Sequence, residues 1–185
     1  MLERLRKSLE MAPVVKFGDY DYFIHPVTDG IPSMDPVVLQ EVLDNICIYC
    51  DFDCDMIVGA EAMAIPLMVP LSLMTGVPYN IIRKRRYGLP EEVSVRQTTG
   101  YSSKDLYING ISRGERVVLV DDVVSTGGTL ISLVRALRSI GAEIVDIVVV
   151  VDKTTSIQDL ESKLEMGIKT LVRVEVRDGK VVVLN

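Results

Sequence analysis

The chain has 185 residues, enough for one sizeable core and short for two independent domains. Its 20 basic and 26 acidic residues leave a formal net charge of −6, which argues against a nucleic-acid or anionic-membrane surface, since both need a positive field. Hydrophobic residues make up 48% and charged residues 25%, no apolar run reaches the ~18–20 residues that span a bilayer, and the charged start MLERLRKSLE is no signal peptide, so a cytoplasmic protein is expected.

Leu2, Leu5 and Leu9 at helical spacing predict a short amphipathic helix over residues 2–11. Beyond Pro13, the aromatic and branched stretch YDYFIHP predicts a short strand of an N-terminal hood that ends at Pro26. A helix starting near Ser33 or Asp35 should turn Val38, Leu39, Val42, Leu43 and Ile46 inward. Cys47, Cys50 and Cys54 follow in CIYCDFDC. A four-ligand metal site needs a further Cys or His, and the single histidine, His25, reads as a packing or surface residue. Cys47 is therefore expected on the buried face of this helix, with the other two near its end.

From residue 56 the texture alternates. MIVGA reads as a buried strand, residues 61–76 as an apolar helix interrupted by two prolines and stopped by Gly76, and VPYNII as the next strand. VVLV, a helix from Gly127 to about Ile140, and EIVDIVVVV continue the pattern. Continuous apolar strands separated by helices predict an α/β fold, an open, mostly parallel, twisted sheet flanked by helices. VEVRDGKVVVLN carries an Asp-Gly turn between two Val-rich runs, a hairpin signal. Residues 83–105, polar and irregular and opening with Arg83, Lys84, Arg85 and Arg86, are expected to be a flexible lid. The whole of 1–185 reads as one domain, residues 1–34 being helix and hood.

The most informative stretch is VVLVDDVVSTGGTL, Val117 to Leu130. A buried strand delivers Asp121 and Asp122, expected at its end, where an open parallel sheet binds ligands. Ser125, Thr126, Gly127, Gly128 and Thr129 then lead into a helix, whose first backbone N–H groups with the glycine turn make an anion cradle. Two acids beside a cradle would repel a bare polyphosphate but suit sugar hydroxyls. A phosphorylated pentose satisfies both halves. The stretch has neither the Walker lysine nor G-x-G-x-x-G.

At these residues the sequence resembles the type I phosphoribosyltransferases, and most closely their purine salvage branch, whose signature is an apolar strand, two acids and T-G-G-T. DMIVGAEAMAIPL is similar to the family's diphosphate loop, which carries a non-proline cis peptide, and NIIRKRRYGLP to the strand that leads into its lid. The resemblance implies that 5-phosphoribosyl 1-diphosphate and a purine base give a nucleoside monophosphate and diphosphate, with magnesium held mainly by the substrate. It implies ribose hydroxyls on Asp121 and Asp122, the 5-phosphate on residues 125–129, the diphosphate near Ala60, Glu61, Ala62, Arg83 and Lys84, and a homodimer as the working unit. Lys153, in VVVVDKTTS, looks like the lysine that donates to O6 of 6-oxopurines. Hypoxanthine, with guanine as a further substrate, is thus expected; adenine is the alternative, although Met63-Ala64 stands where adenine enzymes have Arg-Gly. A donor-sensing regulator that has lost turnover is the reading from another class. Tyr22, Phe23, Ile24 and Tyr101 are the candidates for stacking on the base.

Overall fold

In the computed structural model, residues 2–18, 20–98 and 103–184 are described. Among them a six-stranded sheet forms the centre, built from β3 (Met56–Ala60), β4 (Tyr79–Ile82), β7 (Arg116–Val124), β8 (Glu143–Asp152), β9 (Lys169–Arg177) and β10 (Lys180–Leu184). Its order is β10-β9-β8-β7-β3-β4. All neighbours are parallel except β10, which turns back on β9 through Asp178 and Gly179, both at positive φ. That is the two-residue Asp-Gly hairpin the C-terminal sequence predicts.

The unbroken apolar runs follow from burial on both faces. Val118 and Val120 of β7 and Val148 and Val150 of β8 enter one core, with α1 (Glu3–Glu10), α3 (Pro36–Tyr49) and α4 (Ile65–Thr75). Val117, Leu119, Ile147 and Val149 enter the other, with α5 (Gly128–Ile140) and α6 (Ile157–Leu164). Strand alternation assigns successive residues to opposite faces, so both must be apolar. Asp35 caps α3, its carboxylate accepting the Val37 N–H at 2.8 Å, with Pro36 in the first turn. Cys47 is half-buried on α3, and Cys50, at its C-cap, is buried, which pushes its thiol pKa up.

Two predicted regions differ. The hood is a hairpin, β1 (Val14–Phe17) against β2 (Tyr20–Phe23), followed by a one-turn helix α2 (Pro26–Asp29). Residues 84–92 are irregular as expected, but the remainder of the region holds two strands: β5 (Val93–Thr98) and β6 (Ser103–Ile108) pair antiparallel, and Val95, Leu106 and Ile108 are buried in the second core. The alternation in VSV and LYI carried that signal, but the polar residues between the apolar ones masked it. Glu92 pins the approach, accepting the N–H groups of Tyr87 and Gly88 and the side-chain amide of Asn109. Although burial acts against it, these hydrogen bonds hold its carboxyl pKa below the usual value.

His25 is only 2% exposed. Its Nδ1 accepts the Val27 N–H at 3.2 Å, capping α2, and its Nε2 lies 3.0 Å from Ser8 Oγ. Only the neutral ring, with its proton on Nε2, can make both contacts. Burial accordingly pulls its pKa down to about 4. A folded-state value below the unfolded one means that this contribution is complete above about pH 6.5 and is lost as pH falls toward 4. The loss amounts to about 3 kcal/mol. Chemical denaturation of the wild type and His25→Gln across that window should show a stability difference that shrinks by about this amount on acidification; a pH-independent difference would refute it.

Candidate functional site

The sheet order itself locates the site. The chain runs outward from β3 to β4, then returns to the other side of β3 as β7 and continues outward through β8 and β9. Strand order therefore reverses between β3 and β7, and the crevice outside the carboxyl ends of strands at such a point is where ligands bind. The ends of β3, β4, β7 and β8 carry residues 60–62, 83–84, 121–125 and 153.

A cavity of about 600 Å³ opens there. One wall is Asp121 and the loop 125–129; the facing wall is the hood, through Phe17, Tyr20 and Tyr22. Strand β7 does not stop before the acids but continues through them to Val124, so alternation separates the pair. Asp121 lines the cavity, whereas Asp122 is 9% exposed and turned away from it. The Asp122 N–H donates to Asp121 Oδ1 at 3.1 Å. Burial, opposed by hydrogen bonds from Asp122, pushes the Asp121 pKa up to about 6. Burial and then repulsion from Asp121 raise Asp122 well above the usual carboxylate range, and Asp29 of α2 adds to this. The site is thus short of positive partners for its acids.

Gly127 is the N-cap of α5 at φ +75°, and no side chain caps the helix. The first-turn N–H groups have no acceptor within the helix and lie at the cavity wall, as an anion cradle requires. A Cβ on Gly127 would stand 2.6 Å from Leu160 Cδ1, so α6 packs against the loop with room for glycine alone.

The predicted diphosphate residues are brought together. The Glu61 N–H donates to the Ile82 carbonyl at 3.0 Å, and the Glu61–Ala62 peptide is cis. The role of the Glu61 side chain changes, however. Its carboxylate pairs with Arg83 Nε at 2.9 Å and accepts the Lys84 N–H. It holds the cationic strand end against the loop, since an anion would repel a diphosphate. Gly59 makes this approach possible: a Cβ there would lie 2.7 Å from both Ala64 Cβ and the Val120 carbonyl.

The stacking candidates separate. Tyr22 lines the cavity, and its hydroxyl donates to Asp29. Phe23 is 4% exposed and belongs to the core, and Ile24, whose N–H is bound to the Pro13 carbonyl at 2.9 Å, does not line the cavity. Strand alternation turns Phe23 away from the face that Tyr22 presents. Tyr101 lies outside the described residues. Phe17 and Tyr20 were missed; Tyr20 belongs to the same aromatic run, while Phe17 lies on the partner strand of a hairpin the sequence did not reveal. Among the described residues no group of three or more His, Cys, Asp or Glu side chains forms a metal cage. A carboxylate on the wall beside an anion cradle, Asp121, does fit Mg²⁺, which takes one or two carboxylates with substrate phosphates and water. No described helix is long and apolar enough to cross a membrane.

The family model described as phosphoribosyl transferase domain matches residues 40–178. A hypoxanthine/guanine phosphoribosyltransferase of Methanosalsum zhilinae is 54% identical over 183 residues, 99% of this chain and 96% of the relative. One of Methanotorris igneus is 52% identical over 181 residues, 97% and 99% of the two chains. Among solved structures, the adenine phosphoribosyltransferase of Thermoanaerobacter pseudethanolicus superimposes with a TM-score of 0.75 at 22% identity, covering 94% of this chain and 99% of its own. At that identity the likeness concerns the fold.

Proposed function

Since this chain belongs to the phosphoribosyltransferase family, we propose that it joins hypoxanthine or guanine to 5-phosphoribosyl 1-diphosphate, releasing diphosphate and leaving the nucleoside 5′-monophosphate. The observation that carries the reading is the cavity, which sets one carboxylate, one anion cradle and an aromatic wall around a single space. The ring hydroxyls go to Asp121, the one of the two acids that lines the cavity, and the 5-phosphate to the N–H groups and hydroxyls of residues 125–129. Holding both ends of the pentose fixes C1 between the base and the leaving diphosphate. The carboxylate charge opposes the positive charge that develops on the ring as the C1–O bond lengthens.

Arg83 and Lys84, with the backbone of residues 60–62, bind the departing diphosphate, and Glu61 keeps Arg83 in register with that loop. Asp121 is this chain's oxygen donor on the wall for a Mg²⁺ held mainly by the substrate, which when bound would neutralise charge on the diphosphate. Lys153 supports a 6-oxopurine over adenine, because an ammonium donates and cannot accept, so it matches an oxo group and not an amino group. Leu73 and Met74 of α4 and Tyr79 of β4 are exposed close to the strand that carries Arg83; we assign them to a homodimer in the cytoplasm, and an active species that sediments as a monomer would overturn that assignment.

The test is product formation. Incubation with donor, Mg²⁺ and each of hypoxanthine, guanine and adenine should yield mononucleotide and diphosphate with the first two. Turnover of adenine alone would replace the reading with the adenine one, and binding without product would indicate a sensor.

A further inference from the structure

Lys153 leaves β8 directly after Asp152, and its own N–H donates to the Val124 carbonyl at 2.8 Å, beside the strand end that leads into the 125–129 loop. From there the side chain reaches the hood. Its Nζ donates to Tyr20 Oη at 2.6 Å and to the Asp21 carbonyl at 3.0 Å. It lies 4.2 Å from the Tyr20 ring centroid and 5.4 Å from that of Phe23. Tyr20 also lines the cavity, so one side chain touches both the lysine and the space assigned to substrate.

The backbone around Lys153 is fixed independently. Asp152, 1% exposed, accepts the Thr154 N–H at 2.7 Å, and its other oxygen lies 3.8 Å from Arg173 Nε. Arg173 in turn donates to the Thr155 carbonyl at 3.1 Å. With both flanks held, the remaining freedom is that of the four-carbon stem, which is large in a lysine. An ammonium has three N–H donors. Two go to the hood, and their directions fix the third.

We infer that Tyr20 is a positioning residue for base selection: its hydroxyl holds the Lys153 ammonium so that the remaining N–H is directed at the exocyclic oxygen of a 6-oxopurine. The inference rests on the proposed role of Lys153. It makes the hood part of the recognition apparatus rather than only a cover, since the ordering of the lysine precedes the arrival of the base. The hood is itself anchored: Asp29 accepts the Tyr22 hydroxyl, the His25 N–H at 3.0 Å and the Thr28 hydroxyl at 2.6 Å.

A double-mutant cycle on the full chain tests it, using Tyr20→Phe, which keeps the ring and removes the hydroxyl, Lys153→Met, and both together, with thermal melting to confirm that each is folded. Tyr20→Phe should raise KM for hypoxanthine about tenfold, the size of one hydrogen bond to a charged group, leave KM for the sugar donor unchanged, and narrow the preference for hypoxanthine over adenine. In the Lys153→Met background the same substitution should change nothing, because no ammonium remains to be held. An equal effect in both backgrounds, or an unchanged KM in the single variant, overturns the inference. Selection that is lost in Lys153→Met and intact in Tyr20→Phe removes this inference alone. Selection that is intact in Lys153→Met removes the role of the lysine and the inference with it.

Discussion

Asp121→Asn is expected to lower kcat/KM at least about tenfold while leaving the protein near neutral pH as stable as the wild type or more so. The activity loss follows from removing a charge-assisted hydrogen bond to a ribose hydroxyl, about 1.5–3 kcal/mol, together with the negative charge facing the ring. The stability gain follows from the sign of the pKa shift. Burial pushes Asp121 up to about 6, so its ionised form favours the unfolded chain, and stability falls as pH rises from about 4 to about 6. Asparagine keeps the Oδ1 that accepts the Asp122 N–H at 3.1 Å and abolishes the charge, so up to about 3 kcal/mol of this penalty disappears. Steady-state kinetics and chemical denaturation at pH 7 check both halves. Wild-type kinetics would remove Asp121 from the site; a loss of stability would show that the acids are paired better than the structure indicates.

This acid works against His25 in the same window. His25 destabilises the fold as pH falls from 6.5 to 4, and Asp121 as pH rises from 4 to 6. Asp122, raised further still, acts in the same direction as Asp121, so the wild type should gain stability on acidification from pH 6.5 to 4, His25→Gln more steeply and Asp121→Asn less so. The buried acids burden the fold near neutral pH, as binding sites often do.

Gly127→Ala should cost both stability and activity. A non-glycine residue in the left-handed region costs about 1–2 kcal/mol, and the new methyl would press on Leu160 of α6, 2.6 Å away; overpacking of this kind costs about 1–3 kcal/mol. Relief requires moving either α6 or the loop to which the 5-phosphate is assigned. KM for the sugar donor should therefore rise at least about tenfold, in line with losing a hydrogen bond to a charged group. Leu160→Ala should cost less stability in this background than in the wild type, because there it also removes the clash. Donor affinity that is unchanged in Gly127→Ala would show that the loop does not bind the phosphate.

The parallel strands were legible because burial on both faces leaves an unbroken apolar run, as in Val117–Val120 and Ile147–Val151. The phosphate loop was legible because strand, acids, glycines and helix are contiguous in the chain. The β5–β6 hairpin was obscured by the polar residues between its apolar ones.

The amino-acid order alone determined the individual apolar strands, the glycine turn at the start of α5 and the presence of two acids before it, since each depends on neighbours a few residues apart. Only the tertiary structure decided that Asp121 and not Asp122 faces the cavity, that the Glu61 side chain holds Arg83, that Phe17, Tyr20 and Tyr22 and not Phe23 form the opposite wall, and that Lys153 is held by Tyr20, 133 positions away. Those are contacts between elements distant in the chain. Their partners are chosen by how the hood and the strands pack, and no local spacing encodes that choice.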